Sequence, residues 1–253
     1  RTYRFKKGSG MPISIPVIDM VEIGAGGGSL AHVDAMRQIR VGPESAGSEP
    51  GPACYGRGGA KPAVTDADLV LGKLDPDNFA GGSIKLNTAS SEGALTSVLG
   101  DVLDMDAATS AFGLAEVVDE NMANAARVHA VENGEDLSEY TMIAFGGAAP
   151  LHAGRLCEKL GVDRLLVPPG AGVGSAIGFL RAPFSFEANR SVYMRLSDFD
   201  AGKIKTLLGE LQSEATGFVR NCAPDATILS EFKAYMRYAG DPDHLNCGSG
   251  RKP

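Results

Sequence analysis

The residues best suited to chemistry in this sequence are glycines. Residues 140–161 read YTMIAFGGAAPLHAGRLCEKLG, in which a short apolar run ends on Gly146 and Gly147 and a helical pattern opens soon after. A buried strand that turns on glycines into a helix gathers free backbone N–H groups at the positive end of a helix dipole, a good place for an anion. The same strand, turn and helix is also an ordinary unit of an α/β core. Two more glycine mouths follow runs of apolar residues. One is Gly24-Ala25-Gly26-Gly27-Gly28-Ser29, fed by residues 13–23; the other is Pro169-Gly170-Ala171-Gly172-Val173-Gly174-Ser175, fed by residues 164–168. Exposed N–H groups of this kind suit phosphate.

Neither standard nucleotide fingerprint is present. Counted from Gly24, the third glycine of a dinucleotide motif falls on Ser29, and counted from Gly26 it falls on Ala31. No strand ending in an acidic residue follows at the right spacing. A Walker A loop fails too, because no Gly-Lys is followed by Ser or Thr.

The carboxylates of Thr65-Asp66-Ala67-Asp68 are the other chemical candidates. Asp66 reads as a cap for the helix that follows, the simpler role. Together with Asp68 it is also a candidate to hold magnesium through water, and it is a candidate catalytic carboxylate. Cys54 stands alone in a proline-rich loop, so packing is the simpler reading than a nucleophile. His129 falls on the apolar stripe of a long helix and reads as a core histidine, whereas Glu116, Asp119, Glu120 and Arg127 read as solvated face.

These candidates need elements to position them. The strongest helix spans 107–132, with Ala111, Leu114, Ala115, Val118, Met122, Ala125 and His129 recurring at three- and four-residue spacing. Asp106 is its expected N-cap and Asn133-Gly134 its stop. Strand 140–145, helix 150–160, strand 163–168 and helix 174–182 continue an alternating α/β pattern with two buried strands. If the strands run parallel, their glycine mouths share one edge of the sheet, where ligands of open α/β sheets bind. Residues 41–68, rich in Gly and Pro, read as a long ordered loop of the kind that usually carries function. A weak helix is expected over 91–99, extended chain over 184–196, an amphipathic helix over 198–216 and a strand over 227–239. Residues 241–253 show no strand pattern.

Composition narrows the class. The chain has 253 residues, a net charge of −7, 43% hydrophobic residues and 33 glycines that cluster. An acidic chain without a basic run is not built for nucleic acid or an anionic membrane surface. No apolar run approaches the ~20 residues of a membrane span. Four scattered cysteines fit free thiols in a reducing cytoplasm. Residues 1–6 read as the middle of a strand, which predicts a fragment of a longer protein.

Several long motifs carry a family resemblance: VIDMVEIGAGGGSLAHVD, VGPESAGSEPGPACYGRGG, VTDADLVLGKL, ENMANAARVHAVENG and AFGGAAPLHAGRLCEKLGVDRLLVPPGAGVGSAIG. In this order, over about residues 8–240, they resemble the hydantoinase A / 5-oxoprolinase family. The resemblance implies an ATPase fold of the sugar kinase–Hsp70–actin type, with ATP between two α/β domains. It implies that residues 1–182 are mainly the second of these, with a Gly/Pro-rich insertion over 24–100, followed by a partial C-terminal segment over 183–240 and a tail over 241–253 without assigned fold. Gly146, Gly147 and Ala148 would form the adenosine motif. Asp19 with Gly26, Gly27 and Gly28 would form the second phosphate motif, and Gly172 and Gly174 would belong to the connection between domains. The first phosphate motif is expected upstream of Arg1, so the chain by itself is expected not to turn over ATP.

Members of such a family use ATP and Mg2+ to open a cyclic amide, or serve as the ATP-hydrolysing subunit of an acetone- or acetophenone-type carboxylase. They usually work with a hydantoinase B-like subunit or domain. Phosphorylating the amide oxygen makes it a good leaving group once water has attacked. That step needs positioning and charge neutralisation rather than a Ser-His-Asp set.

Overall fold

The residues after the glycine turn at 24–28 form a hairpin whose second strand runs into the stretch expected as an ordered loop. The computed structural model describes residues 20–236, Tyr238 and the backbone of 245–252. Strand β1 (Ser29–Val33) pairs antiparallel with β2 (Ile39–Ser45), setting Ala31 opposite Val41 and Val33 opposite Ile39. Asp34 closes the turn by accepting from the N–H groups of Met36 and Gln38, both at 2.9 Å. Gly42 and Pro43 disguise β2 as loop; in a two-stranded sheet, a proline without an N–H is tolerated.

Helix α1 (Val64–Val70) follows the Pro-rich loop, and its N-cap position is Ala63. Helix α2 (Thr88–Leu95) starts earlier than expected because Asn87 caps it, accepting from Ser90 N–H at 3.1 Å. A π turn over Thr96–Gly100 leads to the short α3 (Asp101–Leu103). Helix α4 (Ala107–Asn133) matches its predicted signals: Asp106 accepts from Thr109 N–H at 2.7 Å, and Gly134 ends it in the left-handed region at φ 69°.

Val64, Leu95, Leu99, Leu114 and Val118 are fully buried together with Ala31, Ala67 and Ala111. At ~1.5–3 kcal/mol for each large side chain, this cluster is the core of the region. The stretch expected as an insertion, 24–100, therefore contributes its hairpin, α1 and α2 to the core. Cys54, Leu69 and Leu86 form a smaller cluster beneath the Pro-rich loop.

Strand β3 (Thr141–Ile143), helix α5 (Ala149–Leu160) and strand β4 (Arg164–Leu166) form a βαβ unit. The strands are parallel, with Met142 opposite Leu165. Both are shorter than expected and, among the described residues, not buried: Leu165 is 41% and Leu166 50% exposed. Among the described residues two strands pair in this sheet, so these strands lack the neighbours and layers that bury a larger parallel sheet. Helix α6 (Gly174–Arg181) follows.

The chain divides into two units, Arg1–Ile177 and Gly178–Pro253. The second holds α7 (Ala201–Cys222), capped by Asp200 on Lys203 N–H at 2.9 Å, with no buried residue. Phe186 stacks on Phe218 of α7 at 4.4 Å between ring centroids. Strand β5 (Ser230–Met236) pairs antiparallel with β6 (Leu245–Lys252). The tail expected to lack a strand thus carries one. Its sequence, LNCGSGRK, has no alternation to reveal it, and the pairing comes from β5.

Candidate functional site

The three glycine mouths meet. Parallel pairing of β3 and β4 brings the first and third to one edge, where Gly146 N–H donates to Ala171 O at 2.8 Å. Gly146 has φ 102°, a backbone conformation that favours glycine. Gly174 lies against Phe145, and an added methyl there would come within 3.3 Å of Phe145 Cβ. The second mouth joins through Gly27: a methyl built on it would stand 3.7 Å from Ala148 Cβ and 2.8 Å from Thr65 Oγ1. Gly28 is similarly tight against Ser45 Oγ, at 2.9 Å. Around Gly26, Gly147 and Gly172, by contrast, the space a side chain would take is open.

The donors at this junction are backbone groups. Ala148 holds the N-cap position of α5 without a side chain to accept from the first turn, and Pro150 follows inside it. Pro150 has no N–H and Leu151 N–H donates to Ala148 O at 3.0 Å, so the first turn offers an outside acceptor the Ala149 N–H at the positive end of the helix dipole. Ser29 shapes the neighbouring loop: its Oγ accepts from Gly26 N–H at 3.0 Å, and its own N–H donates to Gly26 O at 2.9 Å. An open groove of about 600 Å³ runs along this loop, lined in part by Val21, Gly24, Gly26, Pro43 and Ser45.

The carboxylates do something else. Asp66 is fully buried and sits at the third position of α1 rather than at its cap. Oδ1 accepts from Cys54 N–H at 2.8 Å and Ser91 Oγ–H at 2.7 Å; Oδ2 accepts from Ala53 N–H at 3.1 Å and Ala63 N–H at 2.8 Å. Four donors fill the lone-pair sites of a carboxylate. Asp66 therefore has no face left for magnesium or for proton transfer, and it pins the Pro-rich loop to α1. Asp68 is also buried, 3.0 Å from Lys73 Nζ and 3.2 Å from His152 Nε2. Both its oxygens face protein cations, which removes it as a magnesium ligand. The expected Asp19 lies outside the described residues.

Cys54 is buried beside Asp66, and burial followed by that negative charge pushes its thiol up to about 12. A thiol so hard to ionise is a packing group.

Sequence reasoning missed His152 and misplaced Asp119. His152 is fully buried in the first turns of α5; its Nδ1 lies 2.8 Å from Asp119 Oδ1 on α4, and its Nε2 faces Asp68 on α1. The Nε2 contact is too poorly aligned to count as a hydrogen bond and acts by charge. Burial works against a charged imidazole, but the hydrogen bond to Asp119 and then the contact with Asp68 outweigh it and raise the group to about 9. Asp119, expected on the solvated face, is 2% exposed. The spacing carried a signal: Ala115, Asp119 and Ala123 are successive i, i+4 neighbours, and all three are buried.

Outside this dry contact, α4 and α5 share a wetter set of ion pairs. Glu116 meets Arg155 at 2.8 Å and Lys159 at 3.0 Å, while Glu120 meets Lys159 at 3.0 Å and Arg127 at 2.7 Å.

The hydantoinase/oxoprolinase family model matches residues 2–188. The chain belongs to that family. An uncharacterised protein of Methanocaldococcus jannaschii, MJ0964, is 40% identical over 83% of this chain and 31% of its own length. Caprolactamase subunit alpha of Pseudomonas jessenii is 34% identical over 90% of this chain and 33% of its own. The crystal structure of the ATP-dependent caprolactamase superposes with TM-score 0.75 at 32% identity, covering 96% of this chain and 35% of that one. The nucleotide-free structure of acetone carboxylase does so with TM-score 0.75 at 27% identity, covering 94% and 35%. The fold is the one expected above, of the sugar kinase–Hsp70–actin ATPase type. The chain spans about a third of the length of these relatives.

Proposed function

We propose that this hydantoinase/oxoprolinase chain forms one wall of the ATP site in an enzyme that opens cyclic amides. The observation that carries the reading is the convergence of three glycine loops on the uncapped first turn of α5. The site fits a nucleotide in kind: open space at Gly26, Gly147 and Gly172 admits a ligand close to the backbone, and N–H groups supply the donors. Gly146, Gly147 and Ala148 would hold adenosine, and Gly26, Gly27 and Gly28 the phosphates, with Gly172 and Gly174 closing the edge. Bound ATP would supply the phosphoryl group that activates the amide oxygen. This chain's own part is to orient the nucleotide and keep its phosphates against fixed dipoles.

Mg2+ fits the reading, since it keeps several waters and needs few protein ligands beside the phosphates. Among the described residues no group of three His, Cys, Asp or Glu side chains could hold a metal, and Asp19, the candidate catalytic carboxylate of the second phosphate motif, lies outside them. Residues 1–182 would then be mainly the second α/β domain. Relatives described as subunits support a partner of the hydantoinase B type. No helix of the described residues is long and apolar enough to cross a membrane, and a cytoplasmic setting suits the thiols. The likeness to acetone carboxylase supports a second reading, an ATP-hydrolysing subunit that activates a ketone.

Calorimetric titration of a non-hydrolysable ATP analogue into the full-length protein tests the site. Gly147→Phe should abolish binding while leaving the circular dichroism spectrum intact, because a side chain added at Gly147 enters open space and meets no neighbour. Unchanged affinity in this variant would remove the adenosine assignment. Stimulation of ATP turnover by a lactam or by a ketone then separates the two substrate classes.

A further inference from the structure

One short helix touches both halves of the candidate site. From α1, Thr65 donates twice to Gly27 O, through its N–H at 2.8 Å and through Oγ1 at 2.9 Å, and so holds the loop assigned to phosphates. One turn further on, Asp68 faces His152 Nε2 at 3.2 Å. His152 lies four residues after Ala148, so it anchors the helix turn that presents Gly146, Gly147 and Ala148, the wall assigned to adenosine. Its other nitrogen is held by Asp119 of α4 at 2.8 Å, and α4 in turn packs on α1 through Leu114, Val118, Val64 and Ala67. The three residues of the clamp are at most 2% exposed.

We propose that His152 is a positioning residue of the nucleotide site, which, clamped between Asp68 and Asp119, fixes the adenosine wall on α5 in register with the phosphate loop that α1 holds through Thr65. The inference rests on the nucleotide reading above. It follows from three observations that hold together. The phosphate loop meets the adenosine wall only through the close approach of Gly27 to Ala148, with open space around Gly26 and Gly147. The only charged side chain of α5 buried in the core is His152, whereas Arg155 and Lys159 pair at the rim. The two carboxylates that hold it come from different elements, so neither α5 nor α1 can rotate or slide without breaking a dry charge contact. Lys73 on Asp68 Oδ1 completes the set and fixes that carboxylate from the other side.

A nucleotide that bridges both loops feels this register, and one that touches the adenosine wall alone does not. The test is calorimetry of adenosine and of a non-hydrolysable ATP analogue on the full-length protein, with His152→Gln and Asp68→Asn. Folding is followed by circular dichroism and thermal melts. The Asn variant keeps the volume of Asp68 and leaves the His152–Asp119 pair in place, so it decides the matter if His152→Gln does not fold. In the folded variants the ATP analogue should weaken by at least about tenfold while adenosine shifts by less than about threefold, the size expected of a coupling between sites. His152→Gln should show the larger loss and Asp68→Asn the smaller. Equal losses for the two ligands would reduce the clamp to general support, and unchanged affinities would remove its role altogether. If the wild-type protein binds neither ligand, the nucleotide reading fails first and this inference falls with it.

Discussion

The contact between α4 and α5 carries two sets of ion pairs built from similar groups on the same two helices. The inner set joins Asp119 to His152 at 2.8 Å with side-chain exposures of 3% and 0%. The outer set joins Glu116 to Arg155, also at 2.8 Å, with exposures of 27% and 46%. Distance is equal, so solvent makes the difference. The attraction between charges is several times stronger where water is excluded, but removing both ions from water costs a similar amount. The inner pair is therefore a poor source of net stability and a strong source of geometry: once buried, neither partner tolerates loss of the other. The outer pair can rearrange, share partners and be screened. Evidence of position and register belongs to the first, and evidence of solubility to the second.

The largest effect should come from breaking the inner set. His152→Ala leaves Asp68 and Asp119 buried and facing one another across a cavity. Loss of one partner from a buried pair costs ~3–5 kcal/mol. Urea unfolding monitored by circular dichroism should show that loss in the midpoint, and His152→Ala/Asp119→Ala should recover part of it by removing the stranded charge. A single variant as stable as wild type would mean that the clamp is solvated or already neutral.

The pH dependence separates the sets next. His152 in the folded chain sits at about 9, above its ordinary 6.5. Its contribution to stability is thus full below about pH 6.5 and is lost as pH rises through about 9. Glu116 runs the other way: its bonds to Arg155 and then Lys159 hold it down to about 2 from 4.5. Its contribution is present above about pH 4.5 and lost as pH falls through about 2. The alkaline limb of the stability curve should therefore flatten in His152→Ala, whereas the acid limb should change only slightly in a Glu116 variant, because water reaches and screens that pair. An alkaline limb unchanged in His152→Ala would assign it to another group.

Which of these features the sequence revealed follows from the reach of each signal. Local signals were legible. The apolar stripe of α4, its Asp106 cap and Gly134 stop, and the strand-to-helix turn at Gly146 each depend on residues within a turn or two of one another. The hairpin β1–β2 was hidden because Gly42 and Pro43 contradict strand preference, and β6 because its partner supplies the order. At the site, the glycine loops were identified from sequence, but their meeting is a tertiary fact: it depends on the parallel register of β3 and β4 and on Thr65 reaching Gly27. Asp66 and Asp68 misled for a related reason. Carboxylates beside a glycine-rich loop suggest metal chemistry, and only the fold shows that Ala53, Cys54, Ala63 and Ser91 surround one and that Lys73 and His152 face the other.

The smallest effect should come from Glu116→Gln. Glu116 accepts from Arg155 through both oxygens, at 2.8 and 3.2 Å, and from Lys159 at 3.0 Å. The amide keeps one acceptor for Arg155 and loses the charge. Neither cation is stranded, because Arg155 still meets Glu158 at 2.8 Å and Lys159 still meets Glu120 at 3.0 Å. Exposed pairs with alternative partners contribute little, and screening reduces them further. The unfolding midpoint should move by an amount near the limit of detection at low salt, and the difference from wild type should vanish in ~1 M NaCl, where the screening length falls to about 3 Å. A loss comparable to that of His152→Ala, and insensitive to salt, would mean that the rim is as rigid as the interior and that the contrast between the two sets does not rest on solvent.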